Sequence, residues 1–212
     1  MIAIVDYGMG NVRSLRNAFE FLGVEVLLTA DPAELASADR IVLPGVGAFG
    51  DAMAAIRARG LQGPLTDLAL RDGKPVLGIC LGMQLYARRS EEHGEHDGLG
   101  WLDAEIVRLE VEPPLKVPHV GWNDLRFAAD DWLFRGIRAG ESNFYFVHSF
   151  HMRCKDPSDL VATTDYGGPV TAVVRRGRLV AAQFHPEKSQ DNGLTFLRNW
   201  LEHEFDPDAS AR

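Results

Sequence analysis

The stretch Lys74 to Tyr86, KPVLGICLGMQLY, leaves a chain few choices of fold. Pro75 to Ile79 reads as a buried strand. With no connecting loop it runs through Gly78-Ile79-Cys80-Leu81-Gly82 into a helix carrying apolar Leu81, Met83 and Leu85 and the polar Gln84. Glycines two positions either side of a residue let the backbone turn sharply there, so that the side chain stands above a sheet at a helix N-terminus. The pattern predicts a nucleophile elbow at Cys80. The place suits a thiolate, because the positive end of the helix dipole and free N–H groups stabilise negative charge. An inert cysteine buried at a tight junction is the other reading that this stretch allows.

The residues before the elbow alternate between strand and helix patterns. Strands are predicted at Ile2–Val5, Val24–Leu28 and Arg40–Leu43. Helices are predicted from Asn11 to Leu22, after the Asp31-Pro32 cap, over Asp51–Arg59 and over Leu65–Arg71. That alternation implies an α/β parallel sheet, whose ligands gather at the carboxyl ends of the strands. Pro44-Gly45-Val46-Gly47 follows the third strand, as Cys80 follows the fourth. A glycine-rich turn there can aim backbone N–H groups at an anion, or can be only a tight turn. Gly8-Met9-Gly10 lacks the third glycine of a dinucleotide fingerprint.

Past the elbow the pattern changes. Ser90–Gly98 holds Glu91, Glu92, His93, Glu95, His96 and Asp97 without regular ligand spacing, and reads as a solvated loop from which Glu92 could turn back. Strand-like runs follow at Ala104–Glu110, His119–Phe127, Asn143–Phe150, Val161–Thr164, Val170–Arg175 and Leu179–Phe184, an antiparallel extension of the sheet. Arg175-Arg176-Gly177-Arg178 is expected to be a solvated hairpin tip. A last helix spans about Asn192–Glu204, and residues 206–212 are expected to fray. At 212 residues one domain is expected. The net charge of −8 argues against nucleic-acid and anionic-membrane partners. Two cysteines, Cys80 and Cys154, suit a reducing compartment. With no leader or apolar span, a cytoplasmic protein is expected.

The last strand ends in Phe184-His185-Pro186-Glu187. In extended chain His185 and Glu187 share a side, so a carboxylate can orient an imidazole that takes a proton from a thiol. Ordinary surface groups would show the same spacing.

Three segments, Pro44-Gly45-Val46-Gly47, Gly78-Ile79-Cys80-Leu81-Gly82-Met83-Gln84 and Phe184-His185-Pro186-Glu187, occur in an order that resembles the triad-type, class I glutamine amidotransferases. Asp6–Asn11, Pro118–Asn123, Tyr145–Phe150 and His185–Ser189 are similar to the subfamily of glutaminase subunits of imidazole glycerol phosphate synthases. The resemblance implies the class I fold, a mixed and mostly parallel central sheet flanked by helices. It implies that Cys80 attacks glutamine, that His185 is base and then acid, and that Glu187 orients it. Leu81 and the Gly45-Val46-Gly47 turn would supply an oxyanion hole, after a peptide rearrangement of that turn. Gln84, Glu92, Ser149 and Phe150 would contact glutamine. Asn11, His119, Trp122, Asn123 and Lys188 would face a partner cyclase, a (β/α)8 barrel forming a heterodimer with this chain and consuming the ammonia in histidine biosynthesis. No cofactor or metal is implied. A subunit of another synthase is an alternative that the four subfamily motifs oppose. An inactive scaffold is another, which intact Cys80, His185 and Glu187 oppose. One departure stands out: Gln190 follows His-Pro-Glu-Lys-Ser where the family usually has Gly.

Overall fold

The computed structural model describes residues 1–138 and 140–206. The chain builds β1 (Ile2–Val5), α1 (Val12–Phe21), β2 (Val26–Thr29), α2 (Pro32–Ser37), β3 (Arg40–Leu43), α3 (Phe49–Ala58), α4 (Gln62–Thr66), β4 (Val76–Ile79) and α5 (Leu81–Gln84). It continues through β5 (Arg89–Ser90), β6 (His96–Asp97), β7 (Ala104–Arg108), β8 (His119–Asn123), β9 (Leu125–Phe127), β10 (Phe144–His148) and β11 (Phe150–Cys154). Then come β12 (Leu160–Asp165), β13 (Pro169–Arg176), β14 (Leu179–Ala182) and α6 (Gln190–Glu202).

The main sheet has the order β2-β1-β3-β4-β14-β13-β12-β9. β2, β1, β3, β4 and β14 run parallel, and β13, β12 and β9 continue antiparallel. Strand alternation divides the core. Ile2, Ile4, Leu77 and Val180 face Leu15 and Phe19 of α1 and Phe196 and Trp200 of α6. Ala3, Val5, Val76 and Ala181 face Leu35, Met53, Ile56 and Leu65 of α2, α3 and α4. Burying both faces favours the near-continuous apolar strands IAIV and LVAA. Asp31 caps α2 by accepting from the Ala33 N–H at 2.7 Å, as its sequence predicts.

Several expectations need correction. The elbow helix is a single turn, because after Gln84 the chain tightens into i→i−3 bonds and Arg88 N–H joins Ala104 O. A helix so short adds little macrodipole at Cys80. The run His119–Phe127 is broken at Asp124: β8 pairs with β10 in a separate ribbon, and β9 with β12 in the main sheet. β11, unrecognised in sequence, joins β7, β5 and β6 in a third sheet. That sheet claims part of the supposed loop at 90–98, and Ser90 is buried. The arginine turn is not a free tip either. Arg175 pairs with Asp131, Arg176 holds buried Asp159, and Arg178 donates to the Gly73 and Asp206 carbonyls. Asp206 is therefore tied down, and residues 207–212 of the predicted frayed tail lie outside the described residues. Gln190 takes φ 50°, so the turn keeps a backbone suited to glycine although the side chain differs. No described helix is long and apolar enough to cross a membrane.

Candidate active site

Adjacent parallel strands bring the sequence-distant groups together. β14 pairs with β4 in the register Ala182↔Ile79, and Cys80 N–H extends the ladder to Ala182 O at 2.8 Å. Cys80 and His185 thus leave neighbouring strands at the same edge. The turn is as tight as the glycines predict. Cys80 sits at φ 54°, ψ −111°, a conformation that costs a residue with a Cβ about 1–3 kcal/mol. A Cβ on Gly82 would collide with the Leu43 carbonyl oxygen, and one on Gly78 would lie 2.9 Å from Gly82 O.

His185 Nδ1 and Glu187 Oε1 are 2.9 Å apart, and both side chains are buried. Pro186 opens the short 3-10 turn that brings Glu187 back under the ring. Burial pushes the imidazolium pKa down, but Cys80 and then Glu187 overcome this and raise it to about 9. His185 Nε2 has no hydrogen-bond partner among the described residues, although Cys80 is near enough to act on the ring. Two neighbours escaped the sequence reading. Gln183, fully buried, directs its Nε2 at Cys80 Sγ from 3.8 Å, and a polar residue ending an apolar strand was the signal for it. Ser189 Oγ donates to His185 O at 2.6 Å and accepts from Tyr145 N–H, anchoring the histidine to β10.

The Pro44–Gly47 turn lies beside the elbow. Leu81 N–H donates to Gly45 O at 3.3 Å, so this N–H is engaged by the very turn expected to cooperate with it. Gly45 has no room for a side chain, since a Cβ would stand 2.7 Å from the Tyr7 hydroxyl and 2.8 Å from Gly82 N. The Tyr7 hydroxyl donates to Pro44 O at 2.7 Å and holds the start of the turn. Glu92 holds its far end by accepting from Phe49 N–H at 2.7 Å. Gly47 has φ 107°, and Val46 is exposed.

A cleft of about 310 Å³ opens over Cys80, bordered by Gly47, Gln84, Glu92, Ser149, Phe150 and His185. Both amide hydrogens of Gln84 are committed, to Phe150 O at 3.0 Å and Gln183 Oε1 at 3.1 Å. Ser149 O accepts from Leu109 N–H. A larger cleft, about 440 Å³, lies near Arg108, His151 and Cys154 and includes neither Cys80 nor His185. Burial pushes the Cys154 thiol up to about 11. Among the described residues no group of three His, Cys, Asp or Glu is placed to hold a metal ion.

The five residues expected to face a partner divide by strand alternation. Even-numbered positions of β8 point outward, leaving Val120 and Trp122 exposed beside Val147 of β10. Odd positions point inward, so His119 is buried and Asn123 half-buried, and His119 cannot be a surface contact. Asn11 also turns inward, its Nδ2 3.4 Å from Glu187 Oε1. Lys188 remains outside, its ammonium 5.6 Å from the centre of the Tyr145 ring, which in turn meets Trp122 edge-on.

Comparison with known proteins places the chain in a family. Residues 3–203 match the family "Glutamine amidotransferase class-I". The "Imidazole glycerol phosphate synthase subunit HisH" of Rhodopirellula baltica is 50% identical over 202 residues, covering 94% of this chain and 96% of the relative. The "Imidazole glycerol phosphate synthase subunit HisH 2" of Nitrobacter winogradskyi is 47% identical, with 95% of this chain and 97% of the relative covered. Among solved structures, a glutamine amidotransferase superposes with TM-score 0.70 at 21% identity, covering 94% of this chain and 98% of that one. PurLQS from Thermotoga maritima superposes at 0.71 and 20% identity, covering 94% and 96%. At such identities these two bear on the fold alone.

Proposed function

The chain belongs to the class-I glutamine amidotransferases, and from that premise we propose that it is the glutaminase subunit of an imidazole glycerol phosphate synthase. The observation that carries the chemistry is the β4–β14 register, which sets Cys80 beside a histidine bound to a buried carboxylate at 2.9 Å. The Cys80 thiol proton passes to His185 Nε2, giving an imidazolium that persists to about pH 9, and Sγ then attacks the side-chain amide carbon of glutamine. The proton then moves to the leaving nitrogen, the C–N bond breaks, and ammonia departs from a thioester. Water, deprotonated by His185, attacks the thioester to give glutamate and restore the thiol. Glu187 fixes the ring so that Nε2 faces the sulfur, and Asn11 supports Glu187.

Glutamine occupies the cleft over Cys80, with Gln84 Oε1, the Glu92 carboxylate and main-chain groups at Ser149 and Phe150 as its polar contacts. The tetrahedral oxyanion takes donors from Leu81 N–H and from the Gly45-Val46-Gly47 turn. Because Gly45 O holds the Leu81 N–H at rest, the Gly45–Val46 peptide must rotate first. The outer face carrying Val120, Trp122, Val147 and Lys188 docks the cyclase, a (β/α)8 barrel that uses the ammonia to make imidazole glycerol phosphate and an aminoimidazole carboxamide ribotide. The compartment is the cytoplasm. Cys80→Ser in the assembled complex tests the reading: glutamine-dependent turnover is expected to vanish while turnover with added ammonia persists. Equal loss of both would make Cys80 a structural residue.

A further inference from the structure

The inner face of the β8–β10 ribbon holds two buried histidines that the mechanism does not use. Antiparallel register sets His148 opposite His119. His148 Nδ1 is 2.8 Å from Phe150 O, and a carbonyl can only accept, so Nδ1 carries the proton. Burial keeps the ring neutral, with its pKa pushed down to about 3. His148 Nε2 is therefore bare and accepts from His119 Nδ1, 3.0 Å away. Burial likewise lowers His119 to about 4, so its Nε2 is bare too. That nitrogen meets Asn123 Nδ2 at 3.4 Å, whose second hydrogen goes to Asp165 O at 2.9 Å. With both rings neutral, each assignment follows from the one before, starting at the Phe150 carbonyl. The His119 ring cannot turn over, since it is stacked between Tyr166 at 3.9 Å and Phe146 at 4.8 Å.

At the inner end, Phe150 O also accepts from Gln84 Nε2, so both its lone pairs are used. We propose that His119 and His148 are positioning residues of the glutamine site, forming a one-way hydrogen-bond chain from Asn123 to the Phe150 carbonyl that fixes the backbone against which glutamine binds. The role rests on the glutaminase reading; the direction of the chain does not. His148→Leu releases the Phe150 carbonyl, whereas Asn at 148 can place an amide nitrogen where Nδ1 was.

Imidazole ¹⁵N spectra of the whole chain at neutral pH test the direction. Both rings are expected neutral with the proton on Nδ1, and a charged ring or a proton on Nε2 in either would overturn the chain. Kinetics of the complex with the cyclase test the role. His148→Leu is expected to raise KM for glutamine about tenfold, the size of one net hydrogen bond, with a smaller change in kcat. His148→Asn is expected to recover most of that loss. Equal effects of the two variants, or a fall in kcat at constant KM, would overturn the positioning role. Absence of any glutaminase activity in the native complex would instead sink the functional reading, and this role with it, while leaving the spectra to report on the chain itself.

Discussion

Glu187→Gln removes a charge from the site and almost no volume. The carboxylate lies 2.9 Å from His185 Nδ1, with both groups out of solvent, and His185 is raised from 6.5 to about 9 against the pull of burial. Cys80 makes the larger raising contribution and Glu187 the next. A hydrogen bond to a charged group contributes about 1.5–3 kcal/mol, so losing the carboxylate's charge at this 2.9 Å contact is worth roughly ten- to a hundredfold in rate. The amide can also turn its NH2 toward Nδ1 and favour the wrong tautomer, which adds to the loss. The expected total is at least about thirtyfold in kcat/KM for glutamine at neutral pH. The assay is the pH profile of glutamine hydrolysis by the complex. Its basic limb reports His185 losing the imidazolium proton, and is expected near pH 9 in the native enzyme and at lower pH in the variant, where the raising carboxylate is gone. A limb that stays in place, with a rate within about threefold of native, would refute the assignment of Glu187.

Two further predictions concern stability. Arg176 Nε and Nη2 hold the buried Asp159 carboxylate at 2.8 and 2.5 Å, so Arg176→Ala is expected to cost about 3–5 kcal/mol in urea unfolding, with Asp159→Asn recovering much of it; a single-variant loss under about 1 kcal/mol would contradict this. Burial lowers His119, His148 and His151 to about 4, 3 and 4, so the unfolded chain binds more protons as pH falls below 6.5, and stability is lost in that direction at up to about 1.4 kcal/mol per unit for each ring. His185 acts oppositely: its contribution is complete below 6.5 and is lost as pH rises toward about 9. A stability maximum near pH 6.5 is expected from urea titrations across this range, and stability that grows on acidification would contradict it.

What could be read from the sequence was what local pattern decides. Ile2–Val5 and Arg40–Leu43 match the predicted strands residue for residue, and the glycines around Cys80 announce a turn that no other residue type could make. The candidate triad was legible because Cys80 and the His185–Glu187 pair each stand at a strand end, and parallel neighbours align such ends. What local pattern cannot carry is which strands pair. The break at Asp124 separates two sheets within one β-rich run, and only the register of β8 against β10 turns His119 inward and Val120 outward. Asn11, matched to the partner face, reaches Glu187 across 176 residues of sequence. The arginines at 175, 176 and 178 look solvated until Asp131, Asp159 and Gly73 are brought to meet them. In the Pro44 turn the composition was legible, but the pairing of Gly45 O with Leu81 N–H was not.

That pairing leads to the most direct test of the account, the rate of glutamine hydrolysis by the isolated chain against the rate with the cyclase and the cyclase's own ligand bound. Leu81 N–H is held by Gly45 O; under the proposed mechanism the resting site then lacks an oxyanion donor, a deficit of about 2.7–4 kcal/mol, or roughly two to three orders of magnitude. The isolated chain is expected to turn over slowly and to accelerate by about that factor in the complex. Full activity from the isolated chain, unchanged when the cyclase is added, would contradict it.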